Sequence, residues 1–116
     1  MKRVAIPVSQ GKLSEYFGKC SYYMIFDIKE RTATGKKMSL PEIYDMIELP
    51  AWAAKNGITD IITYKIDRQI ISLFSKYKIH LYVGIPMDTP EILINDYLNE
   101  NIVSDNKVIT EIIDNE

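Results

Sequence analysis

The side chains best suited to chemistry lie in the loop after the first apolar run. Cys20, the only cysteine among 116 residues, lies two residues after Gly18. A thiolate is a ligand for soft metals and iron–sulfur clusters. The loop at the carboxyl end of a first strand is where open α/β sheets usually build ligand sites. We therefore predict a ligand site here, with Cys20 as a metal ligand and Ser9, Ser14, Tyr16 and Gly18 around the ligand.

Cys20 and Tyr16 also have structural interpretations. One thiol cannot complete a tetrahedral metal site, so a bound metal would require two copies in a dimer or a cluster held also by small ligands. Otherwise Cys20 is a small, half-buried residue that opens the second strand, and this interpretation is slightly favoured. Tyr16 either stacks on a ligand or is a half-exposed loop aromatic, one of eight tyrosines.

A second group of charged residues follows the apolar run 58–64. Lys65 and Arg68 lie where a helix is predicted to begin, with Asp67 as its N-cap. Helix N-termini attract anions, and the two cations would add to that attraction. If this strand neighbours the first one, Lys65 and Arg68 face the Cys20 loop across one cleft.

The elements that position these residues form an α/β pattern. Short apolar runs alternate with helical segments in the second half, which predicts parallel pairing there. A short connection between the second and third strands predicts an antiparallel pair. Pro7 is expected to end or bulge the first strand. We predict a mixed five-stranded sheet with helices on both faces, the first strand in the middle, and strands at 3–8, 22–29, 34–40, 58–64 and 80–84.

Composition limits the classes of function. The chain is 47% hydrophobic and 26% charged, with a net charge of −2 and scattered basic residues, which argues against nucleic acid or an anionic membrane as partner. The apolar runs are too short to span a bilayer, and one cysteine fits a reduced, cytoplasmic setting. We expect one domain over residues 1–103 and an acidic tail, 104–116, that forms an edge strand, contacts a partner or stays mobile.

Catalytic constellations are not evident in the sequence. The single histidine, His80, lies far from Cys20 in the chain, and no Ser-His-Asp or zinc-type spacing occurs. The first strand carries no acidic residue of the kind that two-metal nucleases use. We therefore predict a protein that is not an enzyme.

Two segments resemble the dinitrogenase iron-molybdenum cofactor biosynthesis family. Residues 4–8 followed by 13–20 are similar to the family's first strand and its Leu-Ser-x-His-Phe-Gly-x-Cys loop, and residues 49–62 to its central helix and strand. The resemblance covers roughly residues 1–100. It implies a ribonuclease H-like three-layer fold and a nitrogenase accessory role as a small carrier of iron-molybdenum cofactor or its precursors.

The sequence departs from the family pattern in three places. Tyr16 replaces the loop histidine, residues 38–44 replace a Gly- and His-containing stretch, and residues 64–68 replace a Gly-x-Gly-Pro-Asn-like turn. A phenol is a poorer metal ligand than an imidazole, and the lost glycines allowed close backbone approach to a cluster.

Two functions follow from the resemblance and its departures. In the first, the protein is a carrier or scaffold that holds an iron–sulfur or iron-molybdenum cluster, or another small anionic ligand, at the carboxyl ends of the first and fourth strands. In the second, it is a degenerate member without a cluster that acts as an interaction module and pairs with itself or with a protein partner.

Overall fold

The computed structural model describes residues 2–40, 46–66 and 68–104. Its strands and helices follow the predicted order. The strands are β1 (Lys2–Ser9), β2 (Lys12–Leu13), β3 (Tyr22–Lys29), β4 (Thr32–Met38), β5 (Asp60–Ile62) and β6 (His80–Tyr82). A 3-10 turn, Met46–Glu48, leads into α1 (Leu49–Lys55), and α2 (Arg68–Lys76) and α3 (Pro90–Leu98) complete the set.

The sheet confirms the predicted α/β class and the central place of β1. Its strand order is β4-β3-β1-β5-β6, with β3 antiparallel to β1 and β5 parallel to it. The prediction of five strands was wrong, because β2 adds a sixth that pairs only with β1. Gln10 and Gly11, with φ of 53° and 77°, form the left-handed two-residue turn that joins β1 to β2.

Pro7 does not end β1, contrary to the prediction. The β1–β3 register continues through Pro7↔Tyr23 to Val8↔Tyr22. Strand residues alternate the edge to which they present their N–H and C=O groups, and the Val8 carbonyl accepts from Ser21 N on the β3 edge. Pro7 therefore presents its nitrogen to the opposite edge, beyond the last β1–β5 pair, so its missing N–H costs no ladder hydrogen bond.

Helices cover both faces of the sheet, as predicted. On one face, α1 and α2 pack over Ala5, Tyr23, Ile25 and Ile61 through Ala53, Ile70 and Phe74. On the other, α3 packs over Val4, Ile6, Phe26 and Ile62 through Leu93 and Ile94. The period-two alternation along β1 and β3 thus feeds two hydrophobic cores, which explains why β1 is apolar throughout its centre.

Local signals place the helix ends. Thr89 Oγ1 accepts a hydrogen bond from Ile92 N at the start of α3, and Pro90 follows in the first turn. After α1, Gly57 adopts φ +73°, the left-handed conformation that commonly ends a helix. The predicted N-cap of α2, Asp67, lies outside the described residues, as do tail residues 105–116. No helix among the described residues is long and apolar enough to cross a membrane.

Arg3 ties the end of α1 to the sheet. Its Nε donates to Asp27 Oδ1 on β3 at 2.6 Å, and its Nη1 donates to the Asn56 carbonyl at 2.7 Å. The Arg3 backbone N–H also donates to Thr59 Oγ1 at 2.9 Å. One side chain therefore links β1, β3 and the α1 terminus, which fixes where the chain enters β5.

Candidate functional site

The two segments predicted to share a cleft lie at the same rim of the sheet and contact each other directly. Phe17 N donates to the Lys65 carbonyl at 3.0 Å, and Lys65 N donates to the Glu15 carbonyl at 2.9 Å. Tyr16 and Lys65 form an isolated parallel bridge. The loop 14–20 and the segment after β5 therefore meet as a short strand-like ladder at the carboxyl ends of β1 and β5, which we call the carboxyl rim.

Phe17 anchors the loop in the core. Its side chain is 1% exposed, and its ring centroid lies 5.4 Å from those of both Tyr23 and Phe74. The Tyr23 hydroxyl donates to the Phe17 carbonyl at 2.9 Å. The aromatic residue at this position holds the loop against the sheet and so fixes the residues on either side of it.

The loop's own backbone engages Ser14. This residue is 4% exposed, and its Oγ lies 2.7 Å from the Lys19 carbonyl and 3.2 Å from the Tyr16 carbonyl. Because a hydroxyl has one proton to donate, Ser14 uses that proton in a hydrogen bond that holds the loop conformation. Ser9 is half-buried in register with Lys12 in the β1–β2 pair. Ligand contact by Ser9 and Ser14 stays a prediction.

Cys20 is half-buried and packs against the core on the α1–α2 side of the sheet. Burial raises the pKa of its thiol, although hydrogen bonds with Tyr23 and the Val8 backbone act in the opposite direction. Burial also raises the pKa of the neighbouring Tyr23 hydroxyl well above its usual range. The thiol is therefore protonated at neutral pH, and metal binding would have to displace that proton.

The exposed surface of the rim is cationic and centred on Tyr16. The Tyr16 ring is 43% exposed. The Lys19 Nζ lies 5.6 Å and the Lys65 Nζ 5.8 Å from its centroid, within the range of cation–π contacts. Lys65 also lies 3.8 Å from Glu15 Oε1. Two ammonium groups beside one phenol can hold an anion by charge and hydrogen bonding.

Lys19 was missed in the sequence analysis. It approaches Tyr16 because the turn between them closes, with Lys19 N donating to the Tyr16 carbonyl at 3.2 Å. The signal was the three-residue spacing around Gly18, a common site for a tight turn. Gly18 is half-buried in this turn, and Arg68 is exposed at the start of α2.

The described residues provide no ready-made chelating set for a metal ion. Within residues 2–40, 46–66 and 68–104, no group of three or more His, Cys, Asp or Glu side chains converges on one point. His80 begins β6 and lies in register with Asp60, which begins β5. It is therefore at the opposite end of the sheet from Cys20. The donor set fits an anionic cluster or oxyanion that arrives already assembled better than it fits a bare metal ion.

Comparison with known structures places this fold among proteins of similar size. PH0822 superposes with a TM-score of 0.79 at 23% identity, covering 89% of this chain and 94% of its own. The Methanocaldococcus jannaschii protein mj0327 gives 0.70 at 24% identity, covering 86% and 90%. The apo form of the orange protein from Desulfovibrio gigas gives 0.74 at 13% identity, covering 90% and 93%.

The family assignment comes from the sequence itself. No curated protein matches this chain significantly. The profile described as dinitrogenase iron-molybdenum cofactor matches residues 1–100, which include the Cys20 loop and every strand and helix of the described residues. The chain belongs to the dinitrogenase iron-molybdenum cofactor family.

Proposed function

We propose that this protein is a small, non-enzymatic carrier or scaffold that binds an anionic metal cluster, of iron–sulfur or iron-molybdenum type, at the carboxyl rim. The observation that carries the proposal is the approach of the Lys19 and Lys65 ammonium groups to the exposed Tyr16 ring. Family membership supports a cofactor-binding or accessory role. The working compartment in this proposal is the reducing cytoplasm, where a single free thiol persists.

Each residue has a distinct part in this proposal. Lys19, Lys65 and Arg68 supply positive charge, and the Tyr16 hydroxyl supplies a hydrogen-bond donor. Cys20 would ligate the cluster after losing its proton to solvent. Ser14 and Phe17 act indirectly, because their hydrogen bonds and packing hold the loop that carries Tyr16 and Cys20.

Anaerobic reconstitution tests the proposal. Wild-type protein incubated with ferrous iron, sulfide and molybdate is desalted, and bound metal is measured by elemental analysis and absorbance. We expect metal retention that falls at least about threefold in the Lys19→Met/Lys65→Met double variant, since each charged contact contributes on the order of 1 kcal/mol. Lys55→Met removes an exposed lysine at the end of α1 and serves as the matched control.

Cys20→Ala separates the ligand role of the thiol from the charge effect. If the wild type retains no more metal than Cys20→Ala, direct ligation of the cluster by the thiol is wrong. If the double lysine variant also retains as much as wild type, the carrier proposal fails.

A protein-interaction module without a cluster is the second proposed function. The observation that favours it is the half-buried, protonated Cys20 thiol, which packs as a core residue does. Light scattering of the full chain and of a chain ending at residue 103 tests it. A mass above that of one chain, lost on removal of 104–116, supports pairing through the tail. An unchanged mass with unchanged partner capture contradicts a role for the tail.

A further inference from the structure

A cavity of about 510 Å³ opens at the opposite rim of the sheet, which we call the amino rim. Its lining includes Lys2 at the start of β1, Glu30 and Arg31 in the β3–β4 turn, and Glu100 after α3. Seven residue steps along β1 separate Lys2 from Ser9, or about 23 Å at the rise of a strand. The cavity is therefore distinct from the carboxyl rim, and its volume is that of a site for a small molecule.

The cavity rests on a buried, satisfied polar network. Asp60, 2% exposed, accepts a hydrogen bond from the Tyr97 hydroxyl on α3. The Lys2 Nζ lies 3.7 Å from the same carboxylate oxygen. Both partners of Asp60 line the cavity, so one buried carboxylate fixes an ammonium and a phenol in the wall. The Lys2 and Asp60 charges offset each other.

The mouth of the cavity carries charges that the fold does not neutralise. Glu30, Arg31 and Glu100 form no salt bridge within the part of the chain that the structure describes. Because the Lys2 charge is offset by that of Asp60, the charges of these three residues leave the mouth of the cavity net negative. Two aromatic rings complete the wall, since Tyr82 and Tyr97 pack edge-to-face with centroids 6.0 Å apart. Carboxylates beside aromatic rings are the groups that recognise ammonium ions.

Glu30 and Glu100 both lie in left-handed turns, with φ 57° and 60°. Each turn places its glutamate in the lining of the same cavity. Glycine adopts this backbone conformation freely, so a glycine at either position removes the carboxylate without straining the turn.

We propose that the amino-rim cavity binds a small aliphatic ammonium compound, with Glu30 and Glu100 pairing with its cationic groups and the Tyr82 and Tyr97 rings packing along its chain. Two sources share this chemistry. A diamine carries two cationic ends and no carboxylate. A basic amino acid adds a carboxylate, which Arg31 would bind. This site is independent of the cluster proposed at the carboxyl rim.

Titration calorimetry and NMR chemical shifts test the proposal, with putrescine and L-lysine as probes on the full chain. We expect a dissociation constant on the order of 1 mM for at least one probe, given a few exposed charged contacts and an aromatic wall. Glu30→Gln/Glu100→Gln should weaken binding about tenfold. Glu91→Gln, which removes an exposed carboxylate on α3 outside the cavity, should leave it unchanged.

The Arg31→Gln variant distinguishes the two sources. If the ligand carries a carboxylate, this change weakens L-lysine binding. If the ligand is a diamine, the change removes a repulsive charge and strengthens putrescine binding. No change for either probe contradicts the part assigned to Arg31 and, with it, the proposed arrangement of charges at the mouth.

Glycine variants separate binding from folding. Glu30→Gly/Glu100→Gly relieves the left-handed backbone and should leave the thermal unfolding midpoint equal to or above that of wild type, while binding falls about tenfold. The proposal is wrong if neither probe binds at a concentration 10-fold above the expected dissociation constant. It is also wrong if the double variants bind the probes as tightly as the wild type does. Neither result bears on metal retention at the carboxyl rim.

Discussion

The two rims of the sheet use polar side chains in opposite ways. At the carboxyl rim, backbone and hydroxyl groups of the loop satisfy one another, and the charges of Lys19 and Lys65 remain on the outside around Tyr16. At the amino rim, a charge is buried. The Asp60 carboxylate lies beneath the cavity, where it accepts a hydrogen bond from Tyr97 and pairs with Lys2. The carboxyl rim therefore keeps its charged groups near the surface, whereas the amino rim also buries one carboxylate, which stabilises the wall beneath its exposed charges.

Phe17→Ala should produce the largest effect. Phe17 is buried against Tyr23 and Phe74, and removal of a buried aromatic side chain costs about 3–5 kcal/mol of unfolding free energy. Urea denaturation measures the loss. Tyr16→Ala, one residue away on the exposed side, should cost less than about 1 kcal/mol. Equal losses for the two variants would contradict the anchoring role of Phe17.

Tyr97→Phe tests the buried network at the amino rim. It leaves an Asp60 oxygen without its donor and should cost about 1–3 kcal/mol. Burial and the Asp60 hydrogen bond raise the pKa of Tyr97, so the folded state holds this proton more tightly than the unfolded state. That contribution is complete below about pH 10, the usual tyrosine pKa, and is lost as pH rises further.

Unfolding measured against pH checks the sign of this effect. The stability of wild type should fall above about pH 10, and the fall should be smaller in Tyr97→Phe. Tyr23, whose pKa is also raised, retains part of the dependence in that variant. Tyr77→Phe, at an exposed tyrosine, is the control and should reproduce the wild-type profile.

Thiol labelling compares Cys20 with an exposed neighbour. Burial raises the pKa of the Cys20 thiol, so the reactive thiolate is scarce at pH 7. We expect iodoacetamide to label native Cys20 at least about tenfold more slowly than Ser21→Cys in a Cys20→Ser background, because residue 21 is exposed. Urea should abolish the difference. Equal native rates would show that the thiol is open to solvent.

Lysine-to-methionine changes at the two rims should give the smallest effects on stability. The loss of unfolding free energy should differ between the carboxyl-rim and the amino-rim variant. Lys65→Met breaks a partly exposed pair with Glu15 and should change the unfolding free energy by less than about 0.5 kcal/mol. Lys2→Met removes the cationic partner of buried Asp60 and should cost about 1–2 kcal/mol. Urea denaturation of both variants measures the contrast. A larger loss for Lys65→Met would reverse the comparison.

The element types could be predicted because their signals are local, and the uniformly apolar first strand predicted its own central place in the sheet. Each such signal is a steric or capping constraint that depends only on residues nearby in the sequence. Examples are the apolar run 3–8, Pro90 after Thr89, and Gly57. The extra strand β2 could not, because its turn uses Gln10 rather than the usual Asn or Asp before glycine. The effect of Pro7 depends on which strand edge it faces, and that is a tertiary property.

The candidate site could be predicted only as far as which segments meet. That the Cys20 loop adjoins Lys65 follows from parallel pairing of β1 and β5. The alternation of strands and helices predicted parallel pairing in the second half of the chain, but the adjacency of this strand to the first one was only a condition of the predicted site. The amino-rim cavity had no such signal. Asp60 and Tyr97 are far apart in sequence, and Glu100 lines the cavity from a left-handed turn that sequence periodicity does not encode.

The central position of β1 affects how the chain is made on the ribosome. β1 is synthesised before the other strands described, and it can pair with β2 and β3 soon after, but the part of its other edge around Val4 and Ala5 waits for β5, about 50 residues later. At translation rates of about 5–20 residues per second, that edge stays unpaired for roughly 3–10 s. Slower codons between these strands would lengthen the interval in which a nascent chain can associate with its neighbours or with a chaperone.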